Sequence, residues 1–328
     1  MTEPLVSVVT PFYNTAEFLG ECVESVLAQD YPEFEYILQD NCSTDGSGEV
    51  AARFAQMDGR IRFRRNEDHL GQTENYNEAL RFCSPEAKYV KIVQADDWLY
   101  PNCLTEMVSA AEENPQCRLV LAHYHRGMEI GGTPLSPDRT SFPGRQLARM
   151  QLQYEAFFFG TPTTVLYLGE DVRSRHDFYR TDRFFEDTDL GYEIAKDHEI
   201  AFVHQILTGV RVGNPSIMTG ASPFNPYILD KLIQVESYGR DFLTPEEFGR
   251  LQRDVRREYY GALAPRVLRG AEPGFWEYHQ EGLRTVGLEI SRWALGLATV
   301  RYLLDQIACP RDAIRRLANR FRKPPPTP

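Results

Sequence analysis

Two acidic pairs, Asp96-Asp97 and Glu186-Asp187, carry the strongest chemical signal in the chain. Adjacent carboxylates repel each other and resist losing their water, so a pair at the mouth of a sheet calls for a cationic partner. In Gln94-Ala95-Asp96-Asp97-Trp98, which follows the apolar run VKIV, that partner would be a divalent metal. A diphosphate would supply the remaining oxygen ligands. The second pair lies in Phe184-Phe185-Glu186-Asp187-Thr188-Asp189-Leu190, behind two aromatic rings and ahead of the helical stretch 190–196. A carboxylate beside an apolar wall can have its proton affinity raised toward the working pH, which suits a general base. A solvated turn before Tyr100-Pro101 and charge complementarity at a helix N-terminus are the structural alternatives.

Two further stretches could hold a ligand. Thr10-Pro11-Phe12-Tyr13-Asn14 offers a proline turn, a ring able to stack on a base, and polar groups able to bind one. It reads equally as an ordinary loop from strand to helix. Asp40-Asn41-Cys42-Ser43-Thr44-Asp45-Gly46 places a carboxylate where it can bond a ribose hydroxyl or a base NH. Helix capping alone accounts for Ser43 to Asp45.

All four stretches stand at or just beyond the C-terminal ends of predicted strands, where open α/β sheets bind ligands. Leu5–Thr10 is an uncharged, β-branched run that reads as a buried parallel strand ended by Pro11. Strands are also expected at Phe34–Gln39, Arg60–Arg64 and Lys88–Val93, with helices at Thr15–Ala28, Gly48–Met57 and Thr73–Phe82. This βαβα order predicts an α/β fold: a Rossmann-like, mostly parallel sheet flanked by helices. Residues 131–144 are rich in Gly, Pro, Ser and Asp, and beyond 220 the pattern turns helical. Helices are expected at Pro226–Tyr238, at Pro245–Leu268 with Thr244 as N-cap, and as one element at Trp276–Ile307. In the last, Leu283, Val286, Ile290, Trp293, Leu297, Val300, Leu304 and Ile307 form one apolar face, expected to dock internally or to pair with a second copy. The expected domains are 1–220 and a helical C-terminal extension, 221–328.

The chain has 328 residues, 42% hydrophobic and 25% charged, which fits a packed globular protein rather than extensive disorder. A formal charge of −11 argues against nucleic acid as a partner. Six cysteines without CxxC spacing, and no apolar run able to span a bilayer, point to reduced thiols in a cytoplasmic protein. Residues 311–323 hold six basic residues against one acid, with Ile314, Leu317, Ala318 and Phe321 along one side. This amphipathic tail could touch the inner, anionic face of a membrane peripherally.

Taken in order, SVVTPFYN, LQDNCSTDGS, GQTENYNEAL, VKIVQADDWLYP, FFEDTDLGYEIA and LTGVRVGNPS resemble family 2 glycosyltransferases over about residues 4 to 220. The resemblance implies the glycosyltransferase A-type fold and an inverting transfer from a nucleotide-sugar donor, with UDP-sugars the commonest. It places Pro11, Tyr13, Asn14, Asp40, Asn41, Ser43, Asn77, Gln94, Ala95, Asp96 and Arg211 around the nucleotide. It makes Asp96 and Asp97 ligands of Mg2+ or Mn2+, and Asp187, beside Glu186, the base for the acceptor hydroxyl. A glycan or lipid-linked acceptor in surface polysaccharide synthesis is implied too. Three departures stand out: Gln94 where an acid is frequent, Gly213 where a histidine is frequent, and Tyr76 where an arginine is frequent.

Other residues point to rival readings. Gly46-Ser47-Gly48-Glu49-Val50-Ala51, with Asp68 following, matches the dinucleotide fingerprint of an NAD-dependent dehydrogenase, but follows the second strand rather than the first. A non-catalytic nucleotide-sugar binder is suggested by Gln94 and Gly213. A nucleotidyltransferase lacks its Gly-rich, basic N-terminal loop.

Overall fold

The computed structural model describes residues 3–131, 135–213 and 221–308, and the chain divides into two compact units, 1–214 and 215–328. The basic tail 311–323 lies outside the described residues. In the first unit the elements run β1 (Val6–Phe12), α1 (Ala16–Leu27), β2 (Phe34–Asp40), α2 (Ser47–Met57), β3 (Ile61–Arg65), α3 (Gln72–Leu80) and β4 (Tyr89–Ile92). They continue as β5 (Trp98–Leu99), α4 (Cys103–Glu113), β6 (Cys117–Arg126), β7 (Glu129–Gly131), β8 (Ser141–Pro143) and α5 (Gly144–Leu152). A 3-10 turn (Pro162–Thr164) then leads to β9 (Val165–Leu168), α6 (Gly169–Ser174), α7 (Glu186–Ala195) and β10 (Glu199–Val210).

These strands form one sheet ordered β3-β2-β1-β4-β9-β6-β10-β5, with β7 beside β6 and β8 beside β10. The first four strands pair in parallel, as the alternation of strands and helices predicts. The central strands bury on both faces: every residue of β1 and of β4 is buried, whereas the edge strand β3 is largely open to solvent. Beyond β4 the sheet is mixed. β9 runs antiparallel to both β4 and β6, and β6 and β10 are parallel to each other. A mostly parallel sheet therefore holds for one half only.

Pro11 does not end β1. The Val9 carbonyl accepts from the Val93 amide, so Val9 faces β4, and Pro11, two residues on, faces the same way. The β4 ladder stops at the Val9–Ile92 pair, so the donor that proline lacks would have had no strand partner. β1 therefore runs on to Phe12 alongside Asp40.

The second unit is helical: α8 (Pro226–Phe242), α9 (Pro245–Arg269), α10 (Phe275–Arg284) and α11 (Arg292–Ala308). Thr244 caps α9 in a capping box, its hydroxyl accepting from the Glu247 amide at 3.3 Å. The single helix expected over Trp276–Ile307 is broken. Gly287 adopts φ +71°, its amide reaches the Arg284 carbonyl at 3.0 Å, and the Leu288 amide reaches Leu283 at 2.9 Å. That pair of bonds closes a Schellman turn, for which the left-handed glycine is suited. Of the apolar stripe, Leu283 is buried while Trp293, Leu297, Val300, Leu304 and Ile307 on α11 are exposed. No described helix is long and apolar enough to cross a membrane.

Candidate active site

The loops after β1 and β2 are tied to each other. Asn14 sits at φ +51°, a left-handed conformation asparagine tolerates, and receives its place from two bonds. Its amide donates to Ser43 Oγ at 3.0 Å, and its Oδ1 accepts from the Thr44 amide at 2.8 Å. Asp40 is fully buried. Its Oδ1 accepts from the Ser43 amide at 2.8 Å and its Oδ2 lies 3.4 Å from Arg65 Nη1. A Cβ on Gly48 would meet that Oδ2 at 2.9 Å, so this glycine makes room for the Asp40–Arg65 pair and not for a dinucleotide. Asn41 is spent on the chain as well: its Nδ2 donates to the Leu70 carbonyl at 2.8 Å and its Oδ1 accepts from the Leu70 amide at 2.9 Å. Tyr13 remains as the exposed ring, its centroid 4.4 Å from that of His69. Asp40, Asn41, Asn14 and Ser43 thus shape the loops, and Tyr13 keeps its ring exposed.

Past β4, Gln94 and Asp96 are half-buried, whereas Ala95 and Asp97 are buried. Both oxygens of Asp97 are engaged: Thr163 Oγ1 donates to Oδ2 at 2.6 Å, and the Arg211 amide donates to Oδ1 at 3.1 Å. Burial, reinforced by the neighbouring charge of Asp96, raises the Asp97 carboxyl to about 7. Arg211 Nε donates to the Asp96 carbonyl at 2.9 Å, its guanidinium pairs with Glu21, and it lies over the rings of Phe18 (4.9 Å) and Trp98 (5.3 Å).

Behind this turn Lys91 is fully buried in the middle of β4. Its Nζ donates to the carbonyls of Thr163 at 2.5 Å and Val165 at 3.2 Å. Burial lowers its affinity for a proton. Thr163 is the hub, since its hydroxyl also accepts from the Gln94 amide at 3.0 Å.

The Glu186-Asp187 pair opens α7. The Asp187 Oδ1 accepts from the Thr188 amide at 2.7 Å, and Glu186 is hydrogen-bonded by the side chain of Thr73 from α3. Burial raises the proton affinity of both carboxyls, and the charge of Asp187 raises that of Glu186 further. Beneath them Asp189 pairs with Arg183 Nε at 3.1 Å, both almost wholly buried, which anchors the start of the helix.

α3 brings the two acidic pairs to one place. Tyr76, on the same helix as Thr73, hydrogen-bonds the Gln94 side chain, and its buried hydroxyl is held in the phenol form chiefly by burial. The charges of Glu186, Asp96 and Asp97 act on that same hydroxyl in the same direction. Asn77, one residue on, clamps the main chain of Tyr179 from both sides, accepting its amide at 2.8 Å and donating to its carbonyl at 2.7 Å. That clamp engages its side-chain amide and ties α3 to the segment before α7. Sequence reasoning did not single out Thr163, Thr73 or Lys91. A lysine inside the run YVKIV was the one visible sign.

Among the described residues no three His, Cys, Asp or Glu side chains group to hold a metal. Asp97, expected as a ligand, has both oxygens occupied within the chain. Asp96 lies half-buried on the same turn. One carboxylate with oxygens from a diphosphate fits Mg2+ or Mn2+, which keep few protein ligands in phosphate-handling sites.

A carboxylate turn at a strand end, with a buried acidic pair beside it, stands where open α/β sheets place their ligands. Residues 7–174, just over half of the chain, match the family described as Glycosyl transferase family 2, and the chain belongs to that family. Glycosyltransferase GlyG of Streptococcus pneumoniae is 35% identical over 128 residues, 39% of this chain and 42% of GlyG. A teichuronic acid biosynthesis glycosyltransferase, TuaG of Bacillus subtilis (a putative assignment), is 33% identical over 133 residues, 40% of this chain and 51% of TuaG. The chain thus spans about half the length of these relatives. In fold it is similar to S. aureus TarS 1-349, solved with UDP-GlcNAc, at a TM-score of 0.62 and 15% identity, covering 86% of this chain and 80% of TarS 1-349. A mannosyltransferase from Pyrobaculum calidifontis, solved with GDP-Man and Mn2+, gives 0.55 at 17% identity, covering 93% and 89%.

Proposed function

We propose that this glycosyltransferase moves a sugar from a nucleoside diphosphate sugar, most simply a UDP-sugar, to an acceptor hydroxyl with inversion, in surface polysaccharide synthesis. One observation carries the reading: α3 joins the buried Glu186-Asp187 pair to the Gln94–Asp97 turn through Thr73 and Tyr76. Asp187 takes the proton of the acceptor hydroxyl while that oxygen forms its bond to the anomeric carbon. The bond from that carbon to the diphosphate breaks on the opposite face, and its electron pair leaves with the nucleoside diphosphate. Asp96 would hold a divalent cation, which when bound offsets charge on the departing diphosphate. Arg211, across the Asp96 carbonyl and two aromatic rings, supplies positive charge to the same corner. Tyr13 offers its exposed ring to the base.

The family relatives support a glycan acceptor, and the GDP-Man and UDP-GlcNAc complexes of the structural neighbours support a nucleotide-sugar donor with a metal. The basic tail 311–323 would bring a lipid-linked acceptor to the site; flotation with anionic vesicles, compared with a chain ending near Pro310, tests that contact. The transfer reading is tested by a thermal-shift screen of nucleotide-sugars with and without Mn2+ or Mg2+, followed by NMR of the product anomer. A ligand bound only by the folded chain raises its melting temperature. A metal-dependent shift and an inverted product are expected. No shift with any nucleotide-sugar, or a retained anomer, would overturn the reading.

A further inference from the structure

The segment joining α5 to the 3-10 turn presents two exposed rings next to the acidic pair. Tyr154 and Phe157 are each 50% exposed, while Phe158 and Phe159 between Phe157 and Gly160 are buried. Gln151, itself buried, enforces that division. Its Oε1 accepts from the Phe158 and Phe159 amides at 2.8 Å each, and its Nε2 donates to the Phe159 carbonyl at 3.1 Å. Thr188, the neighbour of Asp187, donates its hydroxyl to that same carbonyl at 2.9 Å. The segment is therefore fastened to the first turn of α7.

Gly160 sets how close Phe157 comes. It adopts φ +149°, and a Cβ there would lie 2.5 Å from Phe157 Cζ and 3.0 Å from Thr188 Oγ1. The tip of the ring and the Thr188 hydroxyl thus flank one point above Gly160, one residue along the chain from Asp187. Tyr154 is held at φ +61°, a conformation that costs a bulky residue energy and that glycine or asparagine would adopt more easily. Exposed aromatic rings on a rigid, partly strained segment beside a general base call for a ligand.

We propose that Phe157 is the stacking platform for the acceptor, and that the acceptor presents a neutral pyranose ring to it; this rests on the transfer reaction proposed above. A flat apolar ring face matches the C–H face of a pyranose and takes it out of water. Residues 150–172 contain no Lys or Arg, and the Asp187 carboxylate lies 3.4 Å from the Thr188 hydroxyl that bonds the Phe159 carbonyl. A phosphate-bearing alditol would find no cation on this segment and no use for a flat ring. A pyranose on Phe157 turns its hydroxyl edge toward Asp187.

Saturation-transfer NMR on the full chain with methyl β-D-glucopyranoside, and with ribitol as the acyclic comparison, tests the assignment. Wild type is expected to saturate the pyranoside ring protons. Phe157→Ala should weaken the affinity about tenfold, equivalent to about 1.4 kcal/mol, Phe157→Trp should keep it, and ribitol should give no comparable signal. Equal signals from wild type and Phe157→Ala, or from ribitol and the pyranoside, would overturn the proposal, as would a silent wild type. The nucleotide thermal shift is read on the same samples. A shift without pyranoside binding sinks the platform alone, whereas loss of the nucleotide shift in wild type sinks the transfer reading.

Discussion

Thr163 reaches Asp97 across the sheet, its hydroxyl donating to Oδ2 at 2.6 Å while its carbonyl takes the buried ammonium of Lys91 at 2.5 Å. The carboxylate turn is therefore held from behind by a residue far from it in sequence, and the hold is specific to one hydroxyl. Thr163→Val keeps the shape but leaves Asp97 Oδ2 and the Gln94 amide without that partner. A buried polar group stripped of its bond costs about 1 to 3 kcal/mol. Thermal melting should show that loss, with a weaker nucleotide shift, and Thr163→Ser should restore both. Equal stability of Thr163→Val and wild type would show that the hydroxyl contributes nothing.

Asp96 and Asp97 should separate cleanly by mutation. Asp96→Asn removes the half-buried carboxylate proposed to hold a cation, so the metal-dependent part of the nucleotide shift should vanish. Asp97→Asn touches a side chain whose oxygens serve Thr163 and Arg211, so its effect should fall on the shape of the turn and leave a metal response. Titration with Mn2+ followed by calorimetry decides between them. A metal response lost in Asp97→Asn and kept in Asp96→Asn would reverse the assignment.

The parallel half of the sheet was legible because both its faces are covered, which leaves continuous apolar runs such as Leu5–Thr10 that no other element matches so well. Its C-terminal ends, and with them Asp96, followed from the same pattern, whereas Asp187 opens α7 after a loop and reaches the site through α3. The reversal at β9 was not legible: four residues, Val165–Leu168, read the same in either direction. The break between α10 and α11 turns on one left-handed glycine within a stripe whose apolar spacing continues unbroken, so periodicity outweighed the local signal. The roles of Thr163, Thr73 and Arg183 depend on contacts between distant segments, and nothing in their own neighbourhoods announces them. Asp40 and Asn77 are expected at the nucleotide from their positions; the Asp40–Arg65 pair and the hydrogen bonds of Asn77 to Tyr179 join distant segments, which local sequence does not show.

Lys91 makes stability depend on pH in a calculable direction. Unfolded, it keeps its proton up to about pH 10.4; folded, burial releases that proton at a lower pH, with Cys103 and Asp97 acting against the release. Between those values the unfolded chain binds more protons, so this residue's contribution to stability rises with pH. Lys91→Met has no such dependence. The melting temperature of wild type minus that of Lys91→Met should therefore grow as the pH rises toward the unfolded value of about 10.4, as scanning calorimetry would show. A difference that stays constant or shrinks would mean that Lys91 is not titrating in that range.

Glu186 and Asp187 give the last prediction, in the pH profile of transfer. The base works only when ionised, so kcat/KM should rise with pH through the apparent pKa of the pair and then level off. Burial holds both carboxyls above the usual range, so that acid limb should lie well above the value near 4 typical of an exposed carboxylate. Glu186→Gln replaces a carboxyl that burial and the charge of Asp187 keep protonated while Asp187 titrates, so the limb should stay near its wild-type position. Asp187→Asn removes the base and should lower kcat by about 10²- to 10⁴-fold while the nucleotide shift persists. If Glu186→Gln abolished transfer and Asp187→Asn only moved the limb, the two carboxylates would exchange roles: Glu186 would take the acceptor proton, and Asp187 would set its affinity for it.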